Sequence, residues 1–461
     1  MAARRPVTLQ EALALAEKRN PDLAAARAQA AQVAAKTKLV ISALLPEVSL
    51  TTSYVHTTLE QKFDTAELTK GIASGLVGAL QTVGPAYGLP QQANPAVLSA
   101  FQDQLTSQSS TPTVIVAPNS LYGSLVLSQL LFLPQFFLLP AAKEAEEAAK
   151  LGSLEAREQV LLAVARVYLG LEGLTELENA PKDAEGVALK RERDAKAQVS
   201  VGTNTEIAVL RAQTETAQAR AVIATLAGQR IALMELLEAL CGDPIRPRDD
   251  QPTTLDITAQ AEATEPWSTL YGIRASKLGL LTQEHFNFVD HISWLPNLVA
   301  QAKGSYNSNK GFAGTNWGFD AILALQWTLY DRGVRYVTMH ENEAKTVQQR
   351  AQLEGQRTKA RATWIGAKTN LAAAQVSLEQ AQSQAQLAAR AQKQIESAYQ
   401  TGVATSLEVS DIDSKRFFAA STAAQARAQV EMRKMELAAA EGRLAKVVGL
   451  SDEGVREDAK P

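Results

Sequence analysis

At 461 residues the chain has the length of roughly two to four ordinary domains, and 46 Lys and Arg against 49 Asp and Glu leave a formal charge of −3. That balance provides no basic excess for nucleic acid or for an anionic membrane surface. Hydrophobic residues reach 46% while aromatics stay at 5%, a composition of long helices packed closely through small side chains. The single cysteine, Cys241, excludes an intrachain disulfide and a multi-cysteine metal site, and reads as a packed residue at a helix end.

In chain order, MAARRPVTLQEALALA carries Arg4 and Arg5 but no apolar core of a signal peptide. Either the protein is cytoplasmic or this is a form whose signal has been removed. Thr8-Leu9-Gln10-Glu11 has the form of a capping box, and helix formers run from there to Leu45, where Pro46 stops them. Val48, Leu50, Thr52, Tyr54 and His56 then alternate with Ser49, Thr51 and Ser53, predicting a strand over about 47–57. From Thr57 to Ser120 lies a Gln-, Pro- and Ser-rich insert with one short helix, ELTKGIASGLVGALQTV, whose Gly71, Gly75 and Gly78 read as packing glycines and not as a phosphate loop. The stretch Leu121 to Ala142 approaches the length of a membrane helix, but Pro134, Pro140, Gln129 and Gln135 interrupt it. A strand over about 120–132 running into a helix fits better. The helical segment that follows extends from about Pro134 to Gly202, with a kink or break expected at Pro181, then turns and returns as a shorter helix.

The pattern then repeats. After a polar connector, 243–266, a helix beyond Trp267 ends at Leu295-Pro296 as the first ended at Leu45-Pro46. Strands follow at about 297–307 and 317–330. The second places Phe319, Ala321, Leu323, Leu325, Trp327 and Leu329 on one apolar face, predicting a half-buried strand. Another long helix covers about Asp331 to Gly402. In the returning helices, Ala419, Ala423, Ala426, Val430, Arg433, Leu437, Ala440, Leu444 and Val447 recur at steps of four and three, as do Ala219, Ile223, Leu226, Arg230, Leu233, Leu237 and Leu240. This is a coiled-coil seam with one arginine per copy. The turns match residue by residue: VSVGTNTEIAVLRAQ from Val199 and YQTGVATSLEVSDID from Tyr399 pair Gly202 with Gly402, Thr205 with Thr405 and Val209 with Val409. The glycines permit φ > 0 and the threonines suit helix N-caps. The chain is therefore a tandem duplication, 1–242 and 267–450 around the connector, with a tail at 451–461. Its fold class is mainly α with a small β part.

Four strands cannot close a barrel, and an open sheet with an apolar face leaves its edges exposed. Three chains giving four strands each would close a twelve-stranded barrel, an even number suited to an outer membrane. Tyr54, Tyr122, Phe132, Phe136, Phe137, Trp294, Tyr306, Trp317, Trp327 and Tyr330 fall near strand ends, where aromatic girdles would lie.

The order of LPEVSLTTSY after the first helix, LVLSQLLF before the first long helix, VARVYLGL within it, and two glycine-centred tips resembles the TolC-like outer-membrane efflux protein family. The resemblance spans the chain except the insert and the tail. It implies a homotrimer whose long hairpins form an α-barrel below a transmembrane β-barrel. Function would be that of an outer-membrane exit duct of a tripartite efflux or type I secretion system in a Gram-negative bacterium. Partners implied are a periplasmic adaptor, an inner-membrane transporter reached through it, and outer-membrane lipid.

By the same resemblance, the adaptor docks at the tips, at Val199, Gly202 and Thr205 and at Tyr399, Gly402 and Thr405. Glu408 and Asp411, with Asp413 nearby, would line the narrowest part of the tunnel as anionic rings that favour cations. Crowded carboxylates resist simultaneous ionisation, so selectivity should weaken on acidification. Alternatively, these acids simply favour a helix N-terminus. Ala208 and Ala404 stand where better-known members carry an acidic and a basic residue, so the entrance is expected to be held shut differently.

An enzyme is not expected. Of His56, His285, His291 and His340, only His285 and His291 are close, and their spacing is not that of a zinc pair. No nucleophile elbow, P-loop or dinucleotide fingerprint occurs, and no cofactor or metal site is implied. A soluble coiled-coil scaffold would explain the heptads but leaves the apolar strand faces without a role.

Overall fold

The computed structural model describes residues 4–83, 99–100, 103–104, 113–132, 134–202, 205–248, 253, 265–310 and 314–450. The expected tail, most of the connector and part of the insert lie outside them. The chain divides into two compact units, each drawing on both repeats: one comprises Met1–Lys38, Phe137–Phe288 and Tyr336–Pro461, the other Leu39–Phe136 and Val289–Arg335.

The first unit opens with strand β1 (Arg5–Val7) and helix α1 (Leu9–Arg19), whose N-cap Thr8 forms a complete capping box with Glu11. The expected unbroken run to Leu45 is in fact two helices, because α2 (Pro21–Ser42) starts anew at Asn20-Pro21. Asn20 closes α1 through its backbone N–H to Ala16 O, and its Oδ1 accepts from Leu23 N at 3.0 Å to begin α2. Proline at the first helical position lacks only a donor that would be unpaired there anyway.

The expected helix from Pro134 to Gly202 is likewise two, α3 (Leu138–Leu177) and α4 (Asn179–Ser200). The interruption falls at Glu178 and not at Pro181 itself, since the proline cannot donate to Leu177 O four residues back. Helix α5 (Glu206–Cys241) returns antiparallel, capped by Gly242 at φ 69°. In the second repeat α6 (Tyr271–Ile292) is followed by α7 (Val334–Gln400), an unbroken 67-residue helix of about 100 Å, and α8 (Ser406–Ala440) returns, with a last turn α9 (Leu444–Val447). Among the described residues no helix is long and apolar enough to cross a membrane.

The core of this unit gathers the ends of both repeats: Leu13, Leu161, Tyr168, Leu237, Met435 and Leu444 are fully buried together. Strand β2 (Ile245–Pro247), from the expected connector, pairs in parallel with β1. Tyr168 Oη donates to Val7 O at 2.9 Å, and burial pushes its pKa up to about 12. The coiled-coil seams are occupied as their spacing requires, with Ala219, Leu226 and Leu237 buried on α5 and Ala423, Val430 and Leu437 on α8. The interrupting arginines reach carboxylates at the seam edge, Arg230 to Glu178 and Arg433 to Glu436.

The second unit is built on four antiparallel strands in the order β3 (Glu47–His56), β4 (Asn119–Phe132), β5 (Asn297–Asn307) and β6 (Trp317–Gln326). Register decides what the sheet presents. Leu50 pairs with Leu125, Leu125 with Gly304 and Gly304 with Phe319; Val48 pairs with Leu127, Leu127 with Ala302 and Ala302 with Ala321. Because neighbours in register share a face, Val48, Leu50, Leu125, Leu127, Phe319 and Leu323 lie together. The opposite face carries Ser49, Thr51, Ser124, Gln301, Lys303 and Asp320. The expectation of a half-buried β6 is corrected: every residue of β3 and β6 is exposed within the single chain, because none of the described residues covers the apolar face.

A short ladder of β7 (Gln61–Phe63) with β8 (Thr113–Val116) and helix α10 (Thr65–Val83) belong to the insert. Gly71, Gly75 and Gly78 are not packing glycines in this chain, since a Cβ at any of them meets no atom within 4 Å.

Candidate functional site

The matched turns are built alike. Gly202 and Gly402 have φ of 74° and 75°, and each donates its N–H three residues back, to Val199 O and Tyr399 O, both at 3.0 Å. A side chain at these φ values is strained, which is why both copies carry glycine. Val199 and Tyr399 are half-buried, whereas Val201 and Val403 are 71% and 81% exposed. Leu210 and Leu407 add to this apolar exposure.

The turns differ at the helices that leave them. Thr405 forms a full capping box: Glu408 N donates to Thr405 Oγ1 at 3.3 Å, and Thr405 N donates to Glu408 Oε2 at 2.8 Å. That backbone hydrogen bond holds the Glu408 carboxyl below the usual range. Thr205 occupies the equivalent N-cap position with no side-chain cap bond, and the residue three further on, Ala208, has no carboxylate to complete a box.

The expected constriction pair therefore splits in role within one chain. Glu408 is folded back on its own helix end, as the helix-terminus alternative requires, and Asp411 is exposed beside Lys415 Nζ at 2.6 Å. The neighbouring Asp413 turns instead to Arg191 of the first repeat.

Arg191 was not singled out by the sequence. Its guanidinium reaches Glu215 at 3.2 Å on its own hairpin and Asp413 on the other, while Ser410 Oγ donates to Glu215 Oε1. A cavity of about 370 Å³ beside this network is lined by Ala208 and Ala212 from one tip and by Tyr399 and Val409 from the other. The structure thus brings the two tips of one chain together. The signal was an arginine midway between Ala188 and Ala195, both buried, on an otherwise alanine-lined face. His285, the most enzyme-like candidate, bonds to Glu144 at 2.9 Å and to Leu281 O on its own helix.

Residues 291–450 match the model of the outer membrane efflux protein family. No curated protein is similar to the chain in sequence at a significant level. Among solved structures, the CmeC outer membrane channel of Campylobacter jejuni is similar with a TM-score of 0.76 at 15% identity, over 98% of this chain and 89% of that one. The outer membrane protein VceC of Vibrio cholerae gives 0.72 at 17% identity over 94% and 96%, and the MtrE outer membrane channel of Neisseria gonorrhoeae 0.71 at 15% over 95% and 89%. Residues 291–450 are thus similar to the outer membrane efflux protein family, and the chain as a whole has the fold of solved outer-membrane channels.

Proposed function

We propose that the chain is the outer-membrane exit duct of a tripartite efflux or type I secretion system in a Gram-negative bacterium. In this reading three copies close a twelve-stranded β-barrel from four strands each, and their helical hairpins line a periplasmic tunnel. The observation that carries it is the four-stranded sheet, apolar on one face, polar on the other, with β3 and β6 at open edges. An apolar sheet face of this extent is unfavourable in water, and open edges recruit further strands. Lipid against the one face and neighbouring copies at the edges satisfy both.

Dimensions support the same reading. Ten-residue strands rise about 33 Å and, tilted by about 40°, cover the apolar band of about 25 Å found in such barrels. Aromatics mark both ends. Tyr306 pairs with Trp317 at one, its ring centroid 4.9 Å away; at the other, Trp327 Nε1 donates to Trp294 O at 2.9 Å.

The exposed tips at Val199, Gly202, Thr205, Tyr399, Gly402 and Thr405 are the docking points for a periplasmic adaptor, through which an inner-membrane transporter feeds the duct. Glu408 and Asp411, three copies of each, form the anionic constriction. Single-channel recording of detergent-purified protein in planar bilayers tests this. Discrete cation-selective steps that lose selectivity in Glu408→Ala/Asp411→Ala are expected. Steps unchanged by the mutations would move the constriction elsewhere. A protein that stays soluble without detergent and never inserts would return the chain to a scaffold role.

A further inference from the structure

The insert carries an apolar surface to which the duct gives no role. Helix α10 turns one side inward, where Ala73 is buried, and the other outward, where Leu68, Ile72 and Leu76 are 55%, 63% and 48% exposed. At 3.6 residues per turn, a spacing of four sets these three side chains within about 80° of arc. Gly71 and Gly75 widen the strip on the side away from Ala73, and a Cβ at either would meet no atom within 4 Å. The strip offers nothing polar to a partner. Glu67 and Lys70 pair with each other at 3.2 Å beside it, and Ser74 and Thr82 donate back to their own helix, at Gly71 O and Gly78 O.

The place of α10 in its unit says what covers this strip. Past His56 the chain stays on the line of the sheet: Thr57 N donates to Pro118 O at 2.8 Å, and Asn309 Nδ2, beyond β5, donates to Ile115 O of β8 at 2.9 Å. This is the end of the sheet that Tyr306 and Trp317 mark, and α10 begins two residues after Phe63. Tyr54, Leu59 and Phe63 are all exposed, so apolar surface continues from β3 along the chain to Leu68.

We infer that α10 is an interfacial helix, lying on the outer surface of the membrane with Leu68, Ile72 and Leu76 among the lipid acyl chains and its charged side toward water. The inference rests on the duct reading, which already places lipid against Leu50 and Leu125. Lipid, and not a second copy of the chain, fits the strip, because protein interfaces carry about one hydrogen bond per 100–200 Å² and this surface offers none.

The test places bimane on Leu50→Cys, Ile72→Cys and Lys70→Cys in the full chain; Cys241 is buried and stays unlabelled. The protein is reconstituted in phosphatidylcholine vesicles with and without a nitroxide on the acyl chains. Fluorescence at Leu50 and Ile72 should fall at least twofold with the nitroxide, and that at Lys70, on the other side of the helix, should change little. Quenching at Leu50 with none at Ile72 would overturn the inference and leave the duct reading intact; if Ile72 is then also shielded from aqueous iodide, protein covers the strip. No quenching at Leu50 would overturn the duct reading and this inference with it.

Discussion

Arg191 in the first repeat and Asp413 in the second are joined directly, and the same guanidinium holds Glu215 at 3.2 Å, so one cation ties three helices at the tips. Both partners are largely buried, at 23% and 15% side-chain exposure. Removing Arg191 leaves two carboxylates facing each other in a poorly solvated gap. Losing one member of such a pair costs on the order of 3 kcal/mol. Since Ser410 to Glu215 and Lys190 to Glu396 then hold the hairpins beside two cavities, Arg191→Ala should loosen α8 against α4 and α5. A larger and less stable single-channel conductance than wild type is expected, with Arg191→Lys intermediate because it cannot hold both carboxylates in a fork.

The pH response follows from the cap on Glu408. Its folded pKa is lowered, chiefly by the Thr405 backbone N–H. The stabilisation it gives the α8 terminus is present above the unfolded value of about 4.3 and is lost as pH falls through the lower folded value. Glu408 therefore keeps its charge through the range where an ordinary glutamate protonates. Reversal potentials recorded from pH 7 downward should hold cation selectivity through the range where an ordinary glutamate protonates and decline only below it. Glu408→Gln should show weaker selectivity at pH 7 already.

Gly173 marks a close approach of α3 and α8, where an added Cβ would stand 2.5 Å from Ala428 Cβ. Gly173→Ala should destabilise by about 1–3 kcal/mol, the range for overpacking a tight contact. Ala428→Gly in the same chain should recover most of that loss, read as the thermal unfolding midpoint of the two single variants and the double.

Cys241 is fully buried at the end of α5, its Sγ 3.6 Å from Ala12 O, and burial pushes its pKa up to about 12. The thiolate is the reactive form, so Ellman's reagent at pH 8 should label the native protein no faster than it unfolds. Complete labelling should appear in denaturant. Rapid reaction of the native protein would contradict the packing around α1.

Much of this architecture was legible because duplication repeats the signals that matter. Leu45-Pro46 and Leu295-Pro296 close helices that end at Ser42 and Ile292, three residues before each leucine, and the alternation after each proline carries the strands. Gly202 and Gly402 announced φ > 0 because glycine adopts it without a Cβ penalty. The break at Asn20-Pro21 was readable too, as an N-cap followed by proline, but uniform helix propensity on both sides masked it. The parallel pairing of Arg5–Val7 with Ile245–Pro247 was beyond reach, because three-residue strands have no period. The tie between Arg191 and Asp413 depends on tertiary packing of two hairpins, which no local pattern encodes. Coverage of the apolar sheet face was misjudged because alternation marks an apolar face without saying what lies against it, and none of the described residues does.

The capping box present at Thr405 and missing at Thr205 carries a mechanical consequence. A side-chain cap supports a helix end by about 1 kcal/mol, so Ser406 begins a braced helix and Glu206 one more prone to fray. In the proposed trimer six tips would meet in a ring, braced and unbraced in alternation. Duplication alone would give that rim a sixfold stiffness; a single Glu-to-Ala difference between equivalent positions 408 and 208 makes it threefold, with three compliant points at which the rim yields first.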